Sequence, residues 1–272
     1  QAGAAHATVA ARRTPNQARE PPVIDLYGMS SPNVTKITIM LEETGLPYEM
    51  HHVKIAQGQQ FSPEFLAMNP NAKVPVIVDR DAPGGKPHVV FESGAICWYL
   101  GEKSGKLIPQ DPIGRSLAMQ WTMFQMSTQG PMLGQYTHFT RNPPPDLAKD
   151  DAGIAYSRRR YLTEAKRIYE LLDKRLAEVP YIAGQDVTVA DILLIPWVNY
   201  VREIQGTFEY GWEPGKLPHL VEWSDRMQAR PGVQAGLAAI AKLREQDMAT
   251  FGQADPDALD RFFRRGRWAV KV

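Results

Sequence analysis

Every strand-like run in this chain falls before residue 92, and the sustained apolar patterns after Pro112 repeat with helical period. Strands gathered into one short segment, with helices thereafter, call for two packed units of different class. Val23-Ile24-Asp25-Leu26-Tyr27 reads as a strand closed by Gly28; Val34, Ile37 and Leu41 then share one helical face, ended by Gly45. Tyr48 to Ile55 predicts a second strand and Pro63–Met68 a short helix. Val74–Val78 and His88–Phe91 predict two more strands, turned at Pro83-Gly84-Gly85, and Ser93 to about Lys103 a closing helix. The order βαβ, connector, ββα fits a small mixed sheet with helices packed on it.

Beyond Pro109-Gln110-Asp111-Pro112 the pattern changes. Leu117, Trp121 and Phe124 recur at helical spacing, as do Tyr161, Ala165, Ile168, Leu172 and Leu176. The expected organisation is an α/β domain at 23–106, a linker at 107–110, an all-α domain at 111–243 and a C-terminal extension at 244–272. Residues 1–22 read as a disordered or processed arm, basic, acid-poor and without the apolar stretch of a secretory signal.

The formal net charge of the 272 residues is +1, which offers no whole-protein argument for nucleic-acid or membrane binding. No apolar run approaches the ~20 residues of a membrane span. A single cysteine, Cys97, rules out an intramolecular disulfide and a Cys-rich zinc site, and fits a reducing cytoplasm. No GxGxxG follows the first strand and no GxxxxGK[ST] loop occurs, so a nucleotide site is unsupported.

Two short motifs stand out. Val74-Pro75 opens a strand with a residue that removes a ladder hydrogen bond; a cis bond there would turn the Val74 N–H and C=O outward, ready to pair with an extended peptide. Glu92-Ser93 interrupts an apolar run where a helix starts. Ser93 reads as the N-cap and Glu92 as a carboxylate favoured by the helix dipole. The same pair suits the zwitterionic end of an amino acid, with carboxylate onto Ser93 and the helix N–H groups and ammonium onto Glu92. Thr188 and Asp191 form a capping box, so Asp191 is a folding residue. His51-His52 point to opposite faces of a strand and read as surface, Arg158-Arg159-Arg160 as a solvated helix face, and Met119, Met123 and Met126 as core. No metal site is expected.

From Ile24 to about Arg230 the chain resembles the glutathione transferases, a thioredoxin-like domain followed by a helical one. The marks are Asn69-Pro70-Asn71-Ala72-Lys73-Val74-Pro75, Phe91-Glu92-Ser93-Gly94-Ala95-Ile96 and the cap Thr188–Asp191. More narrowly it is similar to the nu class, which includes bacterial glutathione-dependent disulfide-bond oxidoreductases, through Ser31-Pro32-Asn33 with Lys36-Ile37-Thr38, Gly58-Gln59-Gln60-Phe61 and Gly130-Pro131-Met132-Leu133-Gly134-Gln135.

The resemblance implies glutathione as co-substrate, two molecules per site, with no metal. The γ-glutamyl end would dock on Glu92 and Ser93 and the cysteine backbone on Val74. Lys73 and Gln60 would hold the remaining polar groups, and Arg160 would reach across a dimer interface. Lys73 and Gln60 can equally be read as solvated loop residues. The first helix starts with Ser30-Ser31-Pro32-Asn33, without the cysteine of thioredoxin-type proteins, and Cys97 lies mid-helix as an inert thiol. The reacting sulfur must then be glutathione's, stabilised as thiolate by the Ser31 hydroxyl and the Asn33 amide; both also fit as plain helix caps. Tyr27 is expected to be structural.

The expected function is therefore a cytoplasmic, homodimeric glutathione transferase that reduces a small-molecule disulfide, with no nucleic-acid or membrane partner. The same chemistry admits cleavage of a glutathione thioether on an aromatic compound, or conjugation to an electrophile. The rival of another class is a non-catalytic glutathione-binding or protein-interaction module. The basic, aromatic segment Asp260–Trp268 is expected to fold back over the second domain and help enclose the site, a free or nucleic-acid-binding tail being the alternatives.

Overall fold

The structure, a computed structural model, describes residues 23–141, 151–203 and 215–270. The expected arm at 1–22 lies outside them.

Four strands form one mixed sheet in the order β2-β1-β3-β4: β1 (Ile24–Gly28), β2 (Tyr48–His52), β3 (Val76–Asp79) and β4 (His88–Phe91). β1 runs parallel to β2 through the crossover helix α1 (Pro32–Thr44) and antiparallel to β3, and β3 pairs antiparallel with β4. The short helix α2 (Pro63–Met68) and the closing helix α3 (Ser93–Ser104) complete the thioredoxin-like layer. β2 is shorter than expected: after His52 the chain leaves the sheet and makes two 3-10 turns, Ile55–Gln57 and Gln59–Phe61.

The rest of the described chain is helical: α4 (Pro112–Phe124), a π-helical turn (Gln125–Gln129), α5 (Gly130–Arg141), α6 (Ala152–Leu176), α7 (Val189–Glu203), α8 (Pro218–Gln228), α9 (Pro231–Phe251) and α10 (Pro256–Phe263), then a 3-10 turn at Gly266–Trp268. The expected domain boundary at 243 falls inside α9, which runs on to Phe251.

One apolar cluster joins the two halves, from Ile24, Leu26 and Ile77 on the sheet through Ile37, Ile39 and Leu41 of α1 to Ile168, Leu172, Leu194 and Trp223. Each such side chain contributes about 1.5–3 kcal/mol on burial. α1 is the pivot, buried along its length from Val34 to Leu41 and packed against α3, α7 and α9. Gly236 permits the closest of these approaches, since a Cβ there would lie 2.6 Å from the backbone nitrogen of Ile39. The capping box is present and does more than cap. Asp191 accepts from the N–H groups of Thr188 and Ile182 and from the Trp223 indole, each at 2.9 Å, and the Thr188 hydroxyl takes the Ala190 N–H.

The methionine row departs from expectation. Met123 is exposed within the regular helix α4, and Met126, in the π turn at Gln125–Gln129 where the 3.6-residue period is broken, faces a cavity. The C-terminal segment does fold back, but onto the first domain. Asp255 N–H donates to Ala56 O at 3.0 Å, Arg261 stacks on the Phe61 ring at 3.9 Å, and Phe262 joins Val53, Ile55, Phe65 and Val76.

Candidate active site

The N-terminus of α1 opens onto a cavity of about 740 Å3, a size suited to a tripeptide with a small acceptor. Its walls are the first turn of α1, the loop Ala72–Val74, Glu92, the π turn with α5, Trp197, and Phe262 and Phe263 of α10. The loop that carries α1's start is pinned from α9. Asp247 Oδ2 accepts from the Ser30 N–H at 2.6 Å and the Ser30 hydroxyl at 2.5 Å, while His52 Nε2 lies 2.8 Å from Asp247 Oδ1.

Ser31 is the N-cap, its Oγ accepting from the Val34 N–H at 3.4 Å. Capping uses a lone pair, so the hydroxyl proton remains to be donated. Asn33 is not a cap: its Oδ1 accepts from the Trp197 indole N–H at 3.1 Å. An indole nitrogen only donates, so this bond sets the amide's orientation and leaves Nδ2 as a donor on the cavity side. Pro32 has no N–H and Val34's is capped, which leaves the Asn33 N–H as a first-turn donor without a partner among the described residues.

Val74 and Lys73 line the opposite wall, and the Val74–Pro75 bond is cis. The Lys73 ammonium sits 4.7 Å over the Phe262 ring. Although the side chain as a whole is exposed, burial of its tip, and then the Arg264 guanidinium, lower its pKa. Glu92 lines the cavity with its backbone at φ 71°, a left-handed value that a non-glycine residue holds at a cost of about 1–3 kcal/mol. Glu92 also corrects the expected cap: it occupies the cap position of α3, without a side-chain capping bond, and Ser93 is the first helical residue.

Ser93 stands just behind the wall, buried, and its Oγ accepts from the Lys36 ammonium at 3.1 Å. Gln60 is not brought to the cavity. α10 seats on the 55–61 loop, with Ala258 against Gly58 and Arg261 over Phe61, and Gln60 is completely buried with neither amide atom bonded. Arg160 is exposed on α6 and bonded to Glu164 at 2.9 Å, away from the cavity of its own chain.

Cys97 is fully buried in α3, and burial pushes its thiol up to about 12, so it is not ionised at neutral pH. Tyr27 stacks on His51, with ring centroids 4.7 Å apart, and does not line the cavity. His51 also brings its ring within 4.8 Å of Asp25 and Glu49, but Arg80 ion-pairs with Asp25, so this cluster holds its own counter-charge.

Lys36 escaped the sequence reading as a site residue. It is 1% exposed at the cavity floor, and its one visible signal is that it is the lone charge in the run Val34–Leu41. Trp197 was equally silent, since only the packing of α7 brings it to the cavity, whereas Phe262 and Phe263 lie in the aromatic segment expected to help enclose the site, and they do line it.

The Glutathione S-transferase N-terminal domain model matches residues 30–103 and the C-terminal domain model residues 147–231. The chain belongs to the glutathione transferase family. Among its relatives, the disulfide-bond oxidoreductase YfcG of Escherichia coli is 39% identical over 217 residues, 79% of this chain and 94% of that protein. A glutathione transferase family member from Pseudomonas fluorescens, solved with two glutathione bound, superposes with a TM-score of 0.70 at 39% identity, covering 81% of this chain and 94% of the other. A glutathione transferase from Pseudomonas putida, solved with one glutathione disulfide per subunit, gives 0.70 at 38% identity over 81% and 93%.

Proposed function

We propose that this chain reduces small-molecule disulfides with glutathione. The observation that carries the reading is the chemistry of α1's start. Three donors, the Ser31 hydroxyl, the Asn33 amide and the Asn33 N–H, face a cavity into which the protein itself puts no thiol. Donors without a protein thiolate suit a ligand's thiolate, whose ionisation the helix N-terminus and hydrogen bonds favour. Glu92 and Val74 line the same cavity with Ser93 just behind it, where they can take the γ-glutamyl end and the cysteine backbone, and Lys73 can take a carboxylate. Gln60 is left out of these contacts.

In the reaction, the bound thiolate attacks one sulfur of the disulfide RSSR, forms a mixed disulfide and releases RS⁻. A second glutathione thiolate then attacks the glutathione sulfur of that mixed disulfide, releasing the second RS⁻ and forming glutathione disulfide. The two protons given up by the glutathione thiols end on the two product thiols. The relatives solved with two glutathione, or with glutathione disulfide, support room for both partners. The aromatic rim of Phe262, Phe263 and Trp197 favours, as a second reading, cleavage of a glutathione thioether on an aromatic compound.

The reading extends to a nu-class, cytoplasmic homodimer in which the exposed Arg160 faces the other subunit's site. Turnover of 2-hydroxyethyl disulfide by the wild type and Asn33→Ala tests the assignment. Loss of one hydrogen bond to the thiolate should lower the rate about 10- to 150-fold, at 1.5–3 kcal/mol for a bond to a charged group. Unchanged turnover would remove Asn33 from the mechanism, and no wild-type turnover despite glutathione binding would favour the thioether substrate or a binding module.

A further inference from the structure

Lys36 holds an unusual position for a lysine. Its ammonium nitrogen bonds to Ser93 Oγ at 3.1 Å, Gln125 Oε1 at 2.7 Å and Met126 Sδ at 3.8 Å, three acceptors for three N–H donors and none of them charged. The titratable groups that face it are Glu92, which caps α3, and Cys97, within α3; neither is among the hydrogen-bond partners given for Nζ, which are Ser93, Gln125 and Met126. The Cys97 thiol is held protonated and supplies no charge near neutral pH. A buried cation held only by neutral groups is oriented but not neutralised.

Ser93 shows where the missing charge belongs. Its oxygen accepts from Lys36, so its own proton points elsewhere, and the acceptor it finds is the Met126 thioether at 3.5 Å, a weak one. Met126 lines the cavity on an unbranched, adaptable side chain that can give way.

We propose that Lys36 is the buried counter-charge for a ligand carboxylate docked on Ser93, and that the ligand brings a proton into the protein as it binds. The inference rests on the glutathione reading, in which that carboxylate belongs to the γ-glutamyl end. Lys36 is then a positioning residue: it acts through the Ser93 hydroxyl and touches no reacting atom.

The proton follows from linkage. Burial lowers Lys36 from 10.5 to about 7, opposed by the Glu92 carboxylate, so Lys36 in the ligand-free protein is about half charged at neutral pH. A carboxylate on Ser93 favours the ammonium and raises that value. At pH 6 the lysine is already charged and binding takes up little; at pH 8 it takes up nearly one proton. Affinity for the carboxylate ligand falls by about tenfold over the same interval.

Calorimetry with S-methylglutathione, which has no thiol proton to lose, reads this directly. Titrations at pH 6 in MES and in Bis-Tris, and at pH 8 in HEPES and in Tris, give the proton count from the difference in heats within each pair. The wild type should take up well over half a proton at pH 8 and much less at pH 6. Lys36→Met should take up almost none and bind with about the same, weaker affinity at both values. No uptake by the wild type at pH 8 overturns the proposal, and that measurement stands even if the variant fails to fold. Equal uptake by the variant also overturns it, assigning the proton to the ligand's amine. Absence of binding to S-methylglutathione and to glutathione at every pH sinks the glutathione reading itself, whereas binding without proton uptake sinks only the role of Lys36.

Discussion

A lysine ammonium held out of water leaves its mark on the stability of the ligand-free protein. The unfolded chain keeps the Lys36 proton up to the ordinary 10.5, while the folded chain releases it near 7. Between those values the unfolded state binds more protons, so stability rises with pH, by at most about 1.4 kcal/mol per unit. Cys97 works in the opposite direction at higher pH, since its folded thiol stays protonated toward 12, but it does so equally in a Lys36→Met variant. Urea unfolding at pH 7, 8 and 9 should show the wild type gaining on the variant; parallel curves would mean that Lys36 keeps its proton when folded. At this scale the site was half legible. Ser31, Asn33, Lys73, Val74 and Glu92 could be marked because each belongs to a short local motif. Lys36 could not, because what makes it a site residue is Gln125, 89 positions away, and the same holds for Asn33 and its indole partner 164 positions away.

Elements carry a different kind of determination. β4 and α2 fall at the residues their patterns predict, because a turn or a proline cap marks each boundary locally. The end of β2 and the π turn were not legible: both are places where tertiary packing overrides a period. The start of α7 is the strongest element-level device. Asp191 satisfies two backbone N–H groups and the Trp223 indole at once, so it fastens the loop at Ile182 and α8 to the helix it caps. Asp191→Ala would leave those donors buried and unbonded, at about 1–3 kcal/mol for each. Chemical denaturation should therefore register a loss of about 3–5 kcal/mol, the order found when a buried charged partner is removed; a loss below about 1 kcal/mol would mean that water replaces the carboxylate.

At the scale of the whole molecule, the two-layer plan was readable from where strands stop and helices begin, but the destination of the tail was not. Its aromatic residues predict that it docks; only the buried apolar cluster of Val53, Ile55 and Phe65, against which Phe262 packs, decides where. Phe262 and Phe263 pack edge to face, with ring centroids 4.9 Å apart, and wall the outer side of the cavity. The double substitution Phe262→Ala, Phe263→Ala should leave glutathione affinity within about twofold and raise KM for an aromatic disulfide about 5- to 30-fold, the equivalent of one lost apolar contact at 1–2 kcal/mol. Equal losses for both substrates would mean that α10 supports the site as a whole.

The family models end at residue 231, well before α10 begins. Phe262 and Phe263 of the outer cavity wall therefore lie outside the matched residues, while Ser31, Asn33, Lys73, Val74, Glu92 and Trp197 lie within them. Changes confined to α10 would thus reshape one wall of the cavity and leave the first turn of α1 in place.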